Sequence, residues 1–320
     1  MKIDLQTAVA RLREMDDILL LTHRNPDGDA AGSLWALYRL LKKQGKRVTF
    51  RLVGKVPENL LFAAEAPAEE FEEKYVVAVD LAEATLLGEA LQPVYGEKVD
   101  LNIDHHGSNN LFAKETFLDA KAAAAALLVY QLYGAFGEEI DLRAAEQMYV
   151  GLATDTGCFR YGNTDAACLQ AAAALVGLGI DNGEINRRIF ETKSKAYIQF
   201  EALAMSNLRM HFDGKCAVMA LTKDMFLKTG LDESETHMIA GLPRQVEGVL
   251  VGATIKEKDN GLCRVSLRSN EPVDVSAIAR VFGGGGHKLA AGCDLYGTIS
   301  KATSDLLNAI GEALKAQNLL

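Results

Sequence analysis

The sequence predicts an α/β fold, in which a doubly wound, mostly parallel sheet with helices on both faces is followed by a smaller α+β domain. In the first half of the chain, short apolar runs alternate with helical patterns, which is typical of parallel strands covered on both faces. In the last third, strand patterns follow one another before two helical patterns, which indicates α+β. We therefore place a first domain at residues 1–182, a helical linker at residues 183–211 and a second domain at residues 212–320.

The first domain contains four predicted strands and three predicted helices. Short apolar runs predict strands at residues 17–22 (“DILLLT”), 46–52 (“KRVTFRL”), 75–80 (“YVVAVD”) and 98–104 (“KVDLNID”). An amphipathic pattern predicts a helix at residues 30–45, and alanine-rich patterns predict helices at residues 121–134 and 142–155. Because connections between parallel strands are right-handed crossovers, all carboxyl ends of these strands meet at one edge of the sheet.

The linker and the second domain have a different pattern. Residues 184–210 predict one long helix without strand signals. Strands are then predicted at residues 215–221, 246–258 and 261–269, the last two joined by a hairpin at “DNG”, and helices at residues 273–282 and 300–317. The glycine-rich stretch “GGGGH” separates these two helices.

Composition limits the classes of protein that this chain can be. It has 49% hydrophobic and 24% charged residues, which is typical of a globular protein, and its apolar runs are too short to cross a bilayer. Its five cysteines form no CxxC pair, so we expect reduced thiols and a cytoplasmic protein without a membrane partner. A net charge of −9 without a basic stripe argues against binding to long nucleic acid. Any nucleic-acid substrate is therefore expected to be short.

Ionisable residues follow the predicted strands where each one ends. They are His23, Asp27 and Asp29 after the first strand, Asp80 at the end of the third, Asp104, His105 and His106 at the fourth, and Asp155 at a helix end. In open α/β sheets, ligands bind beyond this edge. Two carboxylates about 4 Å apart repel by roughly 4 kcal/mol at an effective dielectric constant near 20, so the cluster needs protons or divalent cations.

The residue types indicate which cations fit. Imidazole with carboxylate suits Mn²⁺, and also Zn²⁺, Fe²⁺ or Co²⁺, whereas oxygen-only sites suit Mg²⁺. The number of ligands exceeds what one ion needs, and a two-metal site is typical of hydrolysis of phosphate esters or anhydrides. Each motif alone has a structural interpretation: “NPDGD” as a solvated turn, Asp80 as a helix N-cap and Asp155 as a helix cap. Their joint occurrence at one sheet edge favours a site.

The same stretches resemble a known family. “HRNPDGDA”, “VVAVD”, “NIDHHGSN” and “GLATDTGCFRY” resemble, in this order, the four motifs of the DHH phosphoesterase superfamily. “GGGGHKLAAG” resembles the glycine-rich signature of the DHH-associated C-terminal domain. Chain length and domain pairing are most similar to bacterial bifunctional oligoribonucleases and phosphoadenosine-phosphate phosphatases of the NrnA type.

The resemblance implies a role for each motif residue. One ion would be held by His23, Asp27 and Asp80, and a second by Asp29, Asp80, His105 and Asp155, with Asp80 shared. The two divalent cations are expected to be Mn²⁺, with Mg²⁺, Co²⁺, Fe²⁺ and Zn²⁺ as alternatives, and to activate a water as the hydroxide nucleophile. His106 would contact the scissile phosphate or protonate the leaving oxygen, and Asp104 would orient a histidine.

The second domain contributes candidate substrate-binding residues. Gly284, Gly285 and Gly286 can form a backbone nest for an anion, and His287 beside them can bind a terminal phosphate. The alternative is a flexible loop with a capping histidine. Strand alternation puts Arg264, Ser266 and Arg268 on one face, for which simple solvent exposure is one interpretation. The resemblance implies instead that Ser266 and Arg268 hold the terminal nucleotide of the substrate.

The leading hypothesis is an enzyme, a phosphoric ester hydrolase that releases 5′-mononucleotides from short RNA or DNA oligonucleotides or linear dinucleotides. Phosphoadenosine phosphate is a further expected substrate, and the resemblance implies a homodimer. The alternatives are an inorganic pyrophosphatase or a single-strand exonuclease of the same superfamily, and a non-catalytic nucleotide sensor. His211 and His237 lie in no motif, and we assign them no catalytic role.

Overall fold

The chain divides into the units Met1–Thr192 and Lys193–Leu320 in the computed structural model, which describes residues 1–236 and 239–320. His237 therefore lies outside the described residues. The two units agree with the expected pair of domains in number. The finer division at residues 182 and 211 stays a prediction.

The first unit contains a six-stranded sheet within the described residues. Its strands are β1 (Lys2–Ile3), β2 (Ile18–Leu21), β3 (Val48–Arg51), β4 (Tyr75–Val79), β5 (Leu101–Asp104) and β6 (Glu115–Leu118). They lie in the order β1-β6-β5-β4-β2-β3, and every neighbouring pair is parallel. The predicted strands at residues 17–22, 46–52, 75–80 and 98–104 are confirmed, whereas β1 and β6 were not predicted. All carboxyl ends meet at one edge.

Helices cover both faces of this sheet, which confirms the predicted doubly wound architecture. They are α1 (Leu5–Glu14), α2 (Gly28–Lys43), α3 (Gly88–Tyr95), α4 (Ala125–Phe136), α5 (Leu142–Asp155), α6 (Ala166–Gly177) and α7 (Asn182–Asn186). Along β2, Leu20 packs into the core under α2, α4 and α5, while Leu19 and Leu21 pack with Leu91 of α3 on the opposite face. Both strand faces are apolar because both are buried.

Helices α2 and α5 approach each other closely where glycines remove the side chains. A Cβ atom on Gly32 would lie 2.3 Å from the carbonyl oxygen of Gln147, and one on Gly151 would lie 2.7 Å from Asp29 Oδ1. No substituent larger than hydrogen fits at either distance. Asp29 lies in the first turn of α2, and Asp155 is the last residue of α5. The contact between the two helices therefore brings these two candidate metal ligands together.

The second unit contains a mixed sheet. Its elements are α8 (Lys195–Ser206), β7 (Leu208–His211), β8 (Cys216–Leu221), α9 (Lys223–Thr229), β9 (Val251–Glu257), β10 (Leu262–Ser269), α10 (Val275–Val281), β11 (Gly285–His287), β12 (Ala290–Tyr296) and α11 (Ile299–Ala316). The strand order is β11-β12-β10-β9-β8-β7, with only β8 and β9 parallel among the described pairs. Val265 and Leu267 of β10 pack on α10 and α11, which confirms the α+β class.

One sequence prediction was wrong in this region, and one alternative interpretation does not hold. The long helix expected at residues 184–210 is α7, a π-helix at Arg187–Glu191, α8 and strand β7, because Ser194 caps a new helix and residues 208–211 pair with β8. For “GGGGH”, the flexible-loop alternative does not hold at residues 285–287, which form strand β11 against β12, while the anion-binding nest stays a prediction. Gly286, with φ of +140°, adopts a conformation within this strand that favours glycine.

Among the described residues, no helix is both long and apolar enough to cross a membrane. All five cysteines carry free thiols, and Cys158 is the one that is partly exposed.

We expect opposite effects on stability for a glycine at the contact between α2 and α5 and for a glycine with open space around it. Gly32→Ala should lower the free energy of unfolding by about 2 kcal/mol, because its methyl group overlaps the Gln147 carbonyl. Gly134→Ala, an exposed helical position of α4 with open space around it, should raise it by about 0.5–1 kcal/mol. Urea unfolding of both variants checks this, and equal effects would contradict the packing argument.

Candidate metal centre

Three strand ends and two helices deliver ionisable side chains to the carboxyl edge of the first sheet. The contributing residues are His23 and Asp27 after β2, Asp29 in the first turn of α2, Asp80 directly after β4, Asp104 at the end of β5, His105 and His106 after it, and Asp155 at the end of α5. The structure therefore brings together all eight residues that the sequence predicts for this edge.

Six of these residues form two separate sets of donor atoms whose members lie within 4.8 Å of one another. The sets are His23 with Asp27 and Asp80, and Asp29 with His105 and Asp155; a third set, Asp80 with His105 and His106, overlaps both. His105 joins the two, because its Nε2 atom lies 3.4 Å from Asp155 Oδ2 and 3.5 Å from Asp80 Oδ1. These distances exceed those of good hydrogen bonds, so the side chains face a common space rather than each other.

Asp80 has an unusual position in this cluster. Its side chain is 3% exposed, and its Oδ1 atom is buried without a hydrogen-bond partner among the described residues. A buried carboxylate oxygen without a donor is unfavourable by several kcal/mol unless a cation or proton compensates it. This orphaned oxygen, between imidazole nitrogens and other carboxylates, matches the donor set of a divalent transition metal. The residues therefore fit a metal centre.

The pKa values follow from this crowding. Burial and the charge of Asp29 raise the pKa of Asp80 to about 7, and the same two causes raise the pKa of Asp155 to about 8. Burial lowers the pKa of His105, but contact with Asp80 and the charge of Asp29 outweigh it and raise the pKa to about 10. Without cations, protons balance part of the negative charge near neutral pH.

Asp29 is held by backbone donors of another helix. Its Oδ2 accepts from the N–H of Ala125 at 2.6 Å and its Oδ1 from the N–H of Ala126 at 2.9 Å, at the start of α4. Ser33 donates its hydroxyl to Oδ1 at 2.9 Å. The positive end of a helix stabilises a buried carboxylate there. The sequence reasoning missed these three donors, of which only Ser33, four residues after Asp29 in one helix, has a spacing that signals the contact.

Neighbouring groups orient both histidines of the “DHH” motif. His105 Nδ1 lies 3.1 Å from the carbonyl oxygen of Ala122, so this nitrogen carries the proton and Nε2 faces the carboxylates. His106 Nδ1 lies 2.8 Å from Asp104 Oδ1, and the buried Asp104 raises the pKa of His106. The structure thus pairs Asp104 with His106 as a histidine and its orienting carboxylate.

The predicted substrate-binding residues of the second unit lie on neighbouring strands. Ser266 of β10 and Gly285 of β11 both pair with Gly292 of β12. In the next row, Arg268 and His287 both pair with Ala290. Residues directly opposite in antiparallel strands share a face, so Arg268 and His287 flank a small residue.

The remaining predicted residues of this unit differ in their contacts. Gly284 precedes β11, and its Cα packs so closely on Cys293 that no Cβ fits there. Arg264 is paired with Asp294 by bonds of 3.1 and 3.2 Å, so its charge is already balanced. The alternation of Arg264, Ser266 and Arg268 with buried Cys263, Val265 and Leu267 is confirmed. The small residues Ala290 and Gly292 were missed, although they stand in the quoted “AAG”.

Comparison with known proteins agrees with this geometry. Residues 17–152 match the model of the DHH family N-terminal domain, and residues 213–316 match that of the DHHA1 domain. The bifunctional oligoribonuclease and PAP phosphatase NrnA of Thermus thermophilus is 34% identical over 93% of this chain and 90% of its own length. The chain belongs to the DHH family. The resemblance inferred from the five motifs is thereby confirmed.

Other relatives of this DHH-family chain cover it almost completely. NrnA of Bacillus subtilis is 29% identical over 88% of this chain and 90% of its own length. The crystal structure of an exopolyphosphatase-related protein from Bacteroides fragilis has a TM-score of 0.86 at 24% identity, covering 98% of this chain and 96% of that one. An exonuclease RecJ bound to manganese has a TM-score of 0.51 at 16% identity, covering 96% and 93%. These two structures show the fold.

Removing the buried charge of Asp80 should stabilise the metal-free protein, and bound metal should reverse this effect. In the metal-free protein, Asp80→Asn should raise the free energy of unfolding of the first unit by about 1 kcal/mol at pH 8, because one buried charge is removed. The folded-state pKa of about 7 exceeds that of an unfolded aspartate, so wild-type stability falls as pH rises from about 4 to 7. The gain should therefore vanish below about pH 4.

Thermal unfolding in a chelator and in excess Mn²⁺ measures both parts of this effect. Mn²⁺ at about 100 times its dissociation constant should stabilise the wild type by about 2.7 kcal/mol and the variant far less. Glu97→Gln, at an exposed acidic position of the same unit, is the control and should change neither value. A metal-free Asp80→Asn protein less stable than the wild type at pH 8 would refute the crowding argument.

Proposed function

We propose that this DHH-family phosphoesterase is a divalent-metal-dependent enzyme that releases 5′-mononucleotides from short oligonucleotides or linear dinucleotides. We extend the proposal to removal of a phosphate from 3′-phosphoadenosine 5′-phosphate. The observation that carries it is the buried Asp80, whose unpartnered oxygen lies among histidine and carboxylate donors. Two relatives that this chain matches over 90% of their length are named as bifunctional oligoribonuclease and PAP phosphatase.

The donor sets support a pair of cations at the sheet edge. His23, Asp27 and Asp80 would hold one ion, and Asp29, Asp80, His105 and Asp155 would hold the other. Mixed imidazole and carboxylate donors favour Mn²⁺ over Mg²⁺, with Co²⁺, Fe²⁺ and Zn²⁺ as further candidates. Bound cations of this kind lower the pKa of water and offset the charge of a phosphate.

The catalytic role of the chain's own residues follows from their hydrogen bonds. Because Asp104 accepts the Nδ1 proton of His106, the Nε2 atom of that ring remains available for the scissile phosphate or the leaving oxygen. The raised pKa of His106 favours a protonated ring, which is the form that a general acid needs. We assign proton donation to His106 and its orientation to Asp104.

We assign recognition of the substrate's terminal nucleotide to the second unit. Arg268 and His287 flank Ala290, and Ser266 and Gly285 flank Gly292, so cationic and polar groups surround small residues that leave room for a phosphate. Gly284 and Gly286 shape the backbone beside them. Arg264 is a weaker candidate, because Asp294 already neutralises it.

Charge favours short substrates over long ones. The net charge of −9 provides no excess of cations to release counterions along a polymer. The relatives named above favour neither the pyrophosphatase nor the sensor alternative. The likeness to RecJ concerns the fold alone, so it does not favour the exonuclease alternative either. A homodimer and a cytoplasmic location stay predictions of the sequence.

A panel of substrates tests the proposal. With Mn²⁺, the purified protein should hydrolyse an RNA dinucleotide and phosphoadenosine phosphate much faster than pyrophosphate or a long single strand, with products resolved by chromatography. Asp80→Ala, prepared identically, should lose all of these activities, because both ions lose a ligand. Preferential turnover of pyrophosphate, or processive digestion of the long strand, would overturn the proposal.

A further inference from the structure

The backbone at Asp80 has a conformation that ordinary residues rarely adopt. Its φ is +55°, in the left-handed region, where a non-glycine residue is strained by about 1–2 kcal/mol. This conformation directs the chain away from β4 and places the carboxylate next to His23 and His105. Surrounding contacts must hold the strained peptide, since an extended conformation would point the side chain elsewhere.

Two asparagine side chains hold the residue that follows Asp80. The carbonyl oxygen of Leu81 accepts from Asn102 Nδ2 at 2.9 Å and from Asn109 Nδ2 at 3.2 Å. Asn102 is fully buried on β5, two residues before Asp104. The N–H of Asp80 itself donates to the carbonyl oxygen of Ile103 on the same strand. The strained peptide is therefore fixed from both sides.

Asn109 also contacts Asp104, the carboxylate that orients His106. Its Nδ2 donates to Asp104 Oδ2 at 2.5 Å, while the other oxygen of Asp104 accepts from His106. The Oδ1 of Asn109 accepts from the N–H of Leu111 at 2.8 Å, which fixes which end of the amide carries the donors. An asparagine amide has two N–H donors, and these two acceptors use both.

We propose that Asn109 is a positioning residue that fixes the metal-binding carboxylate of Asp80 and the orientation of His106 through one amide group. Asn102 acts as the second donor to the Leu81 carbonyl. No metal, phosphate or proton in transfer touches Asn109 in this scheme. The two N–H groups of its amide lie at a fixed distance from each other. A displacement of the Leu81 carbonyl oxygen therefore also displaces Asp104 Oδ2, and the reverse.

The inference rests on the proposed function only for the measurement of kcat and KM, because the affinity for Mn²⁺ is measured without a substrate. Isothermal titration of the whole protein with MnCl₂ should give a dissociation constant at least about tenfold higher for Asn109→Ala than for the wild type, the range known for residues that orient ligands. Asn109→Asp should weaken binding further, because it places a second carboxylate beside Asp104. Asn110→Ala is the matched control, since exposed Asn110 contacts Ala82 through its backbone N–H.

The kinetic readout separates positioning from substrate binding. At saturating Mn²⁺, Asn109→Ala should lower kcat about tenfold or more while KM for the dinucleotide changes little, because the residues assigned to the terminal nucleotide are untouched. If Asn109→Ala does not fold, Asn109→Ser carries the same test, since a hydroxyl cannot reach both acceptors.

The outcomes distinguish this inference from the proposed function. Unchanged Mn²⁺ affinity and kcat in a folded Asn109 variant would overturn the positioning role while leaving the hydrolase intact. A wild-type protein that binds no Mn²⁺ would instead remove the proposed function. A variant with lower stability but wild-type affinity and kcat would assign Asn109 to folding and would also overturn the inference.

Discussion

Repulsion among the carboxylates of buried Asp29 and Asp80 and of partly buried Asp155 is the interaction around which the first unit is organised, since each belongs to a different element of the fold. Burial makes the repulsion stronger, because less solvent separates the charges. Burial together with this repulsion raises the pKa of Asp80 to about 7 and that of Asp155 to about 8, and the surrounding carboxylates raise the pKa of His105 to about 10. The pair of divalent cations that we propose would relieve this repulsion, and their affinity would derive from it.

The fold supplies the compensations that keep this cluster in place. A parallel sheet brings three strand ends to one edge, and glycines between α2 and α5 allow Asp29 and Asp155 to approach. The start of α4 donates two N–H groups to Asp29. Strain at Asp80 is balanced by two asparagine donors to the next carbonyl. The folded protein is thereby less stable than it could be, but its metal site is already formed without the metal, which is common in enzymes.

Sequence reasoning locates the candidate ligands because ionisable residues that directly follow several buried strands are typical of a binding site. His23, Asp80 and His105 follow apolar runs of strand length, and parallel topology then requires them to meet. The support of these ligands was not predictable in the same way. Backbone donors such as Ala125 N–H have no sequence signature, and the role of Asn109 depends on a turn that spacing does not encode.

The errors have physical causes of the same kind. Residues 184–210 have helical periodicity throughout, but strand β7 gains its hydrogen bonds from β8, a partner that no local pattern contains. For “GGGGH” the sequence left either a nest or a flexible loop open, whereas pairing with β12 makes residues 285–287 a strand. Tertiary partners decided both cases.

Metal stoichiometry tests the central claim most directly. Equilibrium dialysis against excess Mn²⁺, followed by elemental analysis, should give two ions per chain for the wild type and one for His105→Ala, because His105 belongs to the donor set of one ion and His23 to the other. Asp80→Ala should retain less than either. A wild-type protein that binds one ion or none, or an Asp80→Ala variant that still binds two, would contradict the account.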